Sequence, residues 1–248
     1  MKWVGVDVGG TFTDAVVYDD ESQKYSYAKA PSSLVDPTSG VLDVLDSLSI
    51  NFEDIERFVH GVTIGTNTIL QGKGAVVWML TTRGFRDVLE IARTNRPILY
   101  DIKSLKLKPL IPRTRTFEIS ERMRYDGSVE SAIELEDVDR AMQNIPDDDE
   151  VAVAICFLHS YANPTHEIEA KQLCEKLRPD LFVCNSHEVL SQFREYERFS
   201  TTALNAILGP LMSQYFGHLK ASLAERGYRH DIYIMTLSLI HISDHTRP

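Results

Sequence analysis

The run from Val4 to Asp14 brings together the groups that a polyphosphate and a divalent cation require. It reads Val-Gly-Val-Asp-Val-Gly-Gly-Thr-Phe-Thr-Asp. Gly9 and Gly10 have no side chain, so a ligand can approach bare backbone N–H groups there, and the threonine hydroxyls beside them add donors. Asp7 is placed to hold Mg²⁺ or its waters, and Asp14 to orient water or accept a proton. We therefore predict a phosphate and metal site that consists of Asp7, Gly9, Gly10, Thr11, Thr13 and Asp14.

A β-hairpin is predicted to present these residues. Lys2–Val8 and Phe12–Tyr18 are rich in β-branched and aromatic residues, so the glycines fall at the turn between two strands. An ordinary hairpin turn is the alternative, because Gly-Gly between strands usually has no further role. A plain turn does not need the flanking acidic residues and threonines, which favours a ligand site. The spacing is not GxGxxG and no helix opens after the glycines, which disfavours a Rossmann site.

The elements that follow predict an α/β fold. Alternating polar and apolar residues over 24–29 indicate a third strand, and Asp36-Pro37 is typical of a helix start. A strand over 57–61, a polar loop with a short helix, and a buried strand over 75–80 come next. This order resembles a ribonuclease-H-like lobe, a mixed sheet with helices. Asp-x-Gly-Gly-Thr-x-Thr-Asp likewise resembles the first phosphate loop of the actin, Hsp70 and sugar-kinase superfamily.

Further α/β structure and a long C-terminal helix are predicted beyond residue 80. A short helix within 81–91 precedes an irregular stretch that includes Asn95-Arg96-Pro97 and is either functional or a solvated arm. The predicted elements are strands over 115–122, 151–158 and 182–185, helices over 136–144 and 164–177, and a long helix from about 193 to 226. Gly209-Pro210 should kink or split the long helix. The Arg-Glu-x-Glu-Arg cluster at its start fits ion pairs on a solvated face and a functional role equally well.

Composition limits the classes of function. The chain has 248 residues, 43% hydrophobic, and a formal net charge of −10, which argues against a nucleic-acid partner or an anionic membrane surface. Neither an export signal nor a membrane-spanning segment is indicated. Cys156, Cys174 and Cys184 lack CxxC spacing, so we expect buried free thiols in a reducing cytoplasm, with a catalytic cysteine as the minor alternative.

Several long motifs occur in a fixed order. They are Gly-Val-Asp-Val-Gly-Gly-Thr-Phe-Thr-Asp, His-Gly-x-Thr-x-x-Thr-Asn, Thr-x-Gly-Phe-Arg-Asp-Val-Leu-Glu-Ile, Arg96-Pro97 to Tyr100-Asp101, His166-Glu167 and Arg-Glu-Tyr-Glu-Arg-x-Ser-Thr-Thr-x-x-Asn-Ala. Together they resemble the N-terminal part of the hydantoinase A and 5-oxoprolinase family, to which an acetone carboxylase subunit is related. The resemblance covers nearly all of residues 2–236.

The resemblance implies an ATP-dependent hydrolase that opens cyclic amides of the hydantoin or 5-oxoproline type. ATP with Mg²⁺ would activate the amide oxygen by phosphorylation, because an amide carbonyl is a poor electrophile. By position, Asp7, Asp14 and His60 would be catalytic, with Asp7 also the metal ligand. Gly9, Gly10, Thr11 and Thr13 would bind the phosphates. Substrate residues would be Thr63, Thr66, Asn67 and Arg86. The family often pairs with a hydantoinase B-type subunit.

Two departures from the family pattern affect the interpretation. Ile64-Gly65 and Gln71-Gly72 replace residues that are usually different, which leaves the substrate open. Residues 237–248 match no continuation of the family and are interpreted as a non-native tail of a truncated chain. We therefore expect an N-terminal domain over 1–187, the start of a truncated hydantoinase A core domain over 188–236, and an incomplete, inactive fragment. His241 and His245 in the tail have i, i+4 spacing by chance.

Two other functions fit the same phosphate loop. One is a sugar or acyl kinase, and the other is a non-catalytic nucleotide-binding module of the actin or chaperone type. A response of ATP hydrolysis to small cyclic amides would separate both from the hydrolase.

Overall fold

The computed structural model describes residues 1–33, 36–94, 100, 108–148 and 150–235, and the backbone of 242–243. The predicted arm at 95–97, Asp101 and, apart from that backbone, the tail 237–248 with His241 and His245 lie outside the described residues. The chain divides into a first unit, Met1–Lys73 with Leu211–Pro248, and a second unit, Gly74–Pro210. The domain boundary after residue 187 stays a prediction.

Twelve strands and seven α-helices are found in the described part of the chain. The strands are β1 (Lys2–Val8), β2 (Phe12–Asp19), β3 (Lys24–Pro31), β4 (Ile55–Val62), β5 (Val76–Thr82), β6 (Thr116–Ile119), β7 (Arg122–Met123), β8 (Val129–Ser131), β9 (Val151–Cys156), β10 (Phe182–Asn185), β11 (Ile232–Met235) and β12 (Ile242–Ser243). The helices are α1 (Pro37–Ser47), α2 (Ile64–Leu70), α3 (Val88–Ile91), α4 (Leu135–Gln143), α5 (Thr165–Leu177), α6 (Ser186–Val189) and α7 (Glu195–Glu225).

The first unit contains a six-stranded sheet in the order β12-β11-β4-β1-β2-β3. β1, β2 and β3 are antiparallel neighbours, whereas β4 runs parallel to β1 and β11 parallel to β4. The predicted hairpin and third strand are thus confirmed. Val4, Val6 and Val8 alternate with less buried residues and face a core with α1 and the end of α7, because successive strand side chains point to opposite faces.

Helix α1 begins where the sequence predicts. The side chain of Asp36 accepts a hydrogen bond from the backbone N–H of Thr38 at 3.0 Å, and Pro37 is the first helical residue. This cap satisfies one of the N–H groups that a helix leaves unpaired at its start. Val41, Val44 and Leu45 are fully buried against the sheet. The helix therefore closes one face of the first sheet.

The second unit contains a parallel sheet in the order β10-β9-β5-β6. All six residues of β9 are buried, as expected for a central strand with helices on both faces. α4 and α5 contribute Val138, Ala141 and Ala170 to one core. The first half of α7 contributes Phe199 and Ala203 to the other. The region predicted as one strand over 115–122 is instead β6 followed by β7, which pairs with β8 in a separate hairpin.

Helix α7 runs without a break through Pro210, so the prediction that it splits is wrong. An interior proline costs about 3 kcal/mol, but tertiary packing of an apolar face provides most helix stability. Phe199 and Ala203 are fully buried before the proline, and Leu219 and Leu223 after it. Gly209 packs directly against the Phe182 ring, where a Cβ would overlap the ring atoms.

The three cysteines are free and buried, as predicted. Burial raises the pKa of Cys174 to about 12 and that of Cys184 to about 11, and it raises the pKa of Cys156 as well. Each therefore stays a neutral thiol at neutral pH, which argues against the minor alternative of a cysteine nucleophile. Among the described helices, none has the length and apolar character needed to cross a lipid bilayer.

Candidate functional site

The turn between β1 and β2 is open, as a phosphate-binding turn requires. Gly10 and Thr11 are exposed and Gly9 is half-buried. Neither glycine has a positive φ. A Cβ at Gly9 would lie 3.1 Å from the carbonyl oxygen of Phe12, so the close approach of the backbone favours glycine here. The turn is narrow and leaves backbone accessible at its tip.

The segment after β4 packs against this turn. The backbone N–H and the hydroxyl of Thr63 both donate to the carbonyl of Val8, at 3.2 and 3.1 Å. A Cβ at Gly10 would lie 3.7 Å from Nδ2 of Asn67, so the Asn67 amide lies beside the exposed tip. Thr66 is exposed on the same short helix, α2. The structure thus brings Thr63 and Asn67 to the predicted phosphate turn.

Asp7 and Asp14 form a pair of carboxylates on one face of the sheet. Their Cα atoms are partners in the β1–β2 ladder, and both residues are exposed. Asp14 forms an ion pair with Lys29 of β3 at 3.1 Å. Like charges directly opposite each other across two strands are destabilising, so the pair favours a bound cation. This observation fits the metal that the sequence predicts.

An apolar groove of about 640 Å³ adjoins these carboxylates. It lies on the sheet face opposite α1, and its lining includes Asp7, Asp14, Val16, Tyr27 and Val59. Tyr27 is 86% exposed and Val16 is 45% exposed, so this part of the sheet face is open among the described residues. Apolar grooves with a few polar groups at one end are typical of small-molecule sites.

Thr13 is not at the exposed turn. It is fully buried, and its hydroxyl lies 2.9 Å from the hydroxyl of Ser32. A Cβ at Gly40 of α1 would lie 3.2 Å from the Thr13 oxygen, so the side chain faces α1. Strand alternation explains this, because Thr13 pairs with the inward-facing Val8, whereas Asp14 pairs with the outward-facing Asp7. A phosphate contact from the Thr13 hydroxyl is therefore not supported by its position.

His60 is likewise inside the core of the first unit and not in the groove. Its side chain is fully buried, and Nε2 lies 2.8 Å from the hydroxyl of Tyr215 on α7. Burial lowers the pKa of His60 to about 4, so the imidazole is neutral at pH 7. The alternation of β4 explains the position, since Phe58 and His60 face inward and Gly61 faces Asp7. The predicted catalytic role of His60 has no support from this location.

Arg86 belongs to the second unit, in the turn before α3. It is half-buried, and its NH2 group lies 3.4 Å from the carbonyl of Arg113. Its Nε is buried without a hydrogen-bond partner among the described residues. The structure therefore does not place Arg86 in the same unit as the phosphate turn, and its predicted substrate role stays a prediction.

Polar residues of the second unit form a buried network that short sequence motifs do not predict. Glu167 is fully buried and accepts from the backbone N–H groups of Phe157 and His187, at 2.8 and 3.0 Å, and from the hydroxyl of Ser186 at 2.6 Å. His187 Nδ1 lies 2.7 Å from the same carboxylate. Arg198, also fully buried, donates to Ser186 Oγ and the Phe157 carbonyl.

This network shows where Arg198, the last residue of the Arg-Glu-x-Glu-Arg cluster, lies. It is neither on a solvated face nor in an open site. Glu197 instead pairs with Arg93 on the surface. No group of three or more His, Cys, Asp or Glu side chains that could hold a metal occurs in the described parts of the chain. Helical spacing alone could have indicated one inward residue in the cluster, but not which partners it meets.

A family model described as the hydantoinase/oxoprolinase N-terminal region matches residues 3–178. The chain therefore belongs to the hydantoinase/oxoprolinase family, which confirms the resemblance found in the sequence. It is 37% identical over 238 residues to an uncharacterized protein of Methanocaldococcus jannaschii, a match that covers 95% of this chain and 35% of that protein.

Caprolactamase subunit alpha of Pseudomonas jessenii is 34% identical over 234 residues, covering 90% of this chain and 34% of the subunit. The crystal structure of ATP-dependent caprolactamase from the same organism matches with a TM-score of 0.79 and 33% identity, over 93% of this chain and 35% of that chain. The present chain thus spans about a third of the length of these relatives.

Proposed function

We propose that this chain is the N-terminal part of an ATP-dependent hydrolase of cyclic amides, such as a lactam, a hydantoin or 5-oxoproline. The observation that carries the proposal is the pair Asp7 and Asp14 beside the exposed Gly9-Gly10 turn. The likeness to ATP-dependent caprolactamase supports the same chemistry. The strand order around β1 also supports a ribonuclease-H-like plan for the first unit.

The residues of the turn fit Mg²⁺ and a polyphosphate. Backbone N–H groups at Gly10 and Thr11 are accessible for phosphate oxygens, because the tip carries no bulky side chain. Asp7 would hold the cation or its waters, and the Asn67 amide beside Gly10 could donate to the same phosphates. When bound, ATP would supply a phosphoryl group that, on the amide oxygen, makes the carbonyl carbon a better electrophile for water, after which the ring nitrogen leaves.

The groove next to the carboxylates is the proposed binding site of the substrate. Its apolar lining suits the methylene groups of a small cyclic amide, and Lys29 and Asp14 lie at the polar end. Asp14 would orient the reacting amide or a water, while Lys29 limits its movement. A B-type subunit as partner is proposed because the similar caprolactamase chain is named as a subunit.

The test is release of ADP in the presence and absence of ε-caprolactam, 5-oxoproline and hydantoin. The chain is assayed joined to the remaining two thirds of a family-length protein, with and without a B-type subunit. We expect ADP release to rise with at least one cyclic amide and not with sugars or acyl acceptors. Release that is indifferent to every cyclic amide would contradict the proposal. Release that rises with a sugar or a carboxylate would indicate a kinase instead.

A further inference from the structure

Gly61 is the residue of β4 that lies against Asp7. β1 and β4 are parallel neighbours, and their register pairs Asp7 with Gly61. A Cβ at position 61 would lie 2.9 Å from Oδ1 of Asp7, 3.6 Å from its Cγ and 3.8 Å from its Cβ. The first distance is shorter than van der Waals contact allows. The Asp7 carboxylate therefore occupies the space that a side chain at position 61 would fill.

We propose that Gly61 is a positioning residue. Because it has no side chain, the Asp7 carboxylate has room to lie over β4. The inference rests on the proposed function, in which Asp7 holds the cation. On the other side of Asp7, β2 places Asp14, so movement in that direction brings two like charges together. A methyl group at position 61 would force the Asp7 carboxylate toward Asp14 or out into the groove. Either position changes the geometry offered to Mg²⁺.

The backbone conformation at position 61 does not explain why the residue there is glycine. Its φ does not fall in the left-handed region, so alanine fits the backbone there. The atom that a new Cβ would meet is the end of a flexible side chain, which can rotate away without moving the strand. Substitution should therefore displace the carboxylate and leave the fold intact.

Gly5 offers a matched control on the neighbouring strand. It also has no positive φ, and a Cβ there would lie 3.3 Å from Cγ1 of Val16 and within 4 Å of no atom of Asp7. Gly5→Ala adds the same methyl group to the same sheet at the position two residues before Asp7. It should leave the carboxylate where it is.

The first test measures the affinity for ADP by calorimetry, in Mg²⁺ and in EDTA, for the unsubstituted chain, Gly61→Ala and Gly5→Ala. We expect Gly61→Ala to weaken binding in Mg²⁺ by about tenfold or more, the usual effect of disturbing the support of a metal ligand. Binding in EDTA should be unchanged, and Gly5→Ala should match the unsubstituted chain. In an Asp7→Asn background, Gly61→Ala should add no further loss.

The second test needs no nucleotide. Crystal structures of the unsubstituted chain and of both variants give the position of the Asp7 carboxylate oxygens, which should change in Gly61→Ala and stay the same in Gly5→Ala. An unchanged position would overturn the inference, as would an equal loss of ADP affinity in Mg²⁺ and EDTA. If the position changes but the unsubstituted chain binds ADP equally with and without Mg²⁺, the proposed metal role of Asp7 fails while the positioning by Gly61 stands.

Discussion

The two units of this protein differ in the burial and the hydrogen-bond partners of their carboxylates. In the second unit both faces of the sheet are covered, and the fully buried Glu167 has a partner for each carboxylate oxygen. In the first unit one face is covered, and the exposed Asp7 makes no ion pair with any described residue. A satisfied buried carboxylate holds loops together, whereas an unsatisfied exposed one beside a groove is available to a ligand. Burial and partners, more than residue type, separate the two roles.

Removal of the buried carboxylate should have the largest effect on stability. Glu167→Ala leaves the Ser186 hydroxyl and the N–H groups of Phe157 and His187 without an acceptor in the core. We expect a loss of about 3–5 kcal/mol in the free energy of unfolding, measured by urea denaturation.

The matched control for this prediction is Glu188→Ala. Glu188 pairs with Lys171 at 2.8 Å and is partly exposed, so its removal should cost less than about 1 kcal/mol. Equal losses for the two variants would show that the buried network is not what holds the second unit together.

The buried imidazole of the first unit predicts a dependence of stability on pH. The pKa of His60 is about 4 in the folded chain, against an ordinary value of 6.5, because burial disfavours its charged form. The unfolded state therefore takes up a proton first as pH falls, and stability falls with it from about pH 6.5 to 4. Over this pH range the free energy of unfolding falls by about 3 kcal/mol in total.

His60→Gln removes this titration and should flatten that part of the pH profile of the free energy of unfolding. His230→Gln is the control, because His230 is exposed. A His60→Gln profile as steep as that of the unsubstituted chain would contradict the neutral, buried placement of His60.

Two glycines of α7 should respond in opposite directions. A Cβ at Gly209 would overlap the Phe182 ring, so Gly209→Ala should lose about 1–3 kcal/mol by overpacking. At Gly217 no atom lies within 4 Å of the added Cβ, so Gly217→Ala should gain about 0.5–1 kcal/mol through helix propensity. Thermal unfolding followed by circular dichroism measures both. A stabilising Gly209→Ala would show that the Phe182 ring is not fixed against the helix.

Much of the fold follows from local signals in the sequence. The limits of β1 and β10 and the Asp36 cap of α1 match the predictions, because strong β-branched runs and a capping residue before proline act over a few residues. The continuity of α7 through Pro210 could not be predicted, since it depends on core packing on both sides of the proline.

The same distinction, between local signals and contacts with distant residues, applies to the candidate site. The types of residue at the β1–β2 turn indicate a phosphate and metal site, and the structure leaves Asp7, Asp14, Gly10 and Thr11 exposed there. Thr13 and His60 belong to the inward phase of their strands, which a strict count of alternation from Ala15 on β2 and from Phe58 on β4 would have shown. Lys29 and Gly61 meet the two carboxylates only through strand pairing, which short motifs do not specify.

The role of Asp7 in the proposed hydrolase is tested by cyclic-amide-dependent ADP release by Asp7→Asn in the family-length assembly. Asn keeps the shape of the side chain and removes its charge, so stability should stay within about 0.5 kcal/mol, as for most exposed positions. We expect the amide-dependent release to be lost while the unfolding transition is unchanged. Release at the rate of the unsubstituted enzyme would contradict a role for Asp7 in holding the metal and its nucleotide.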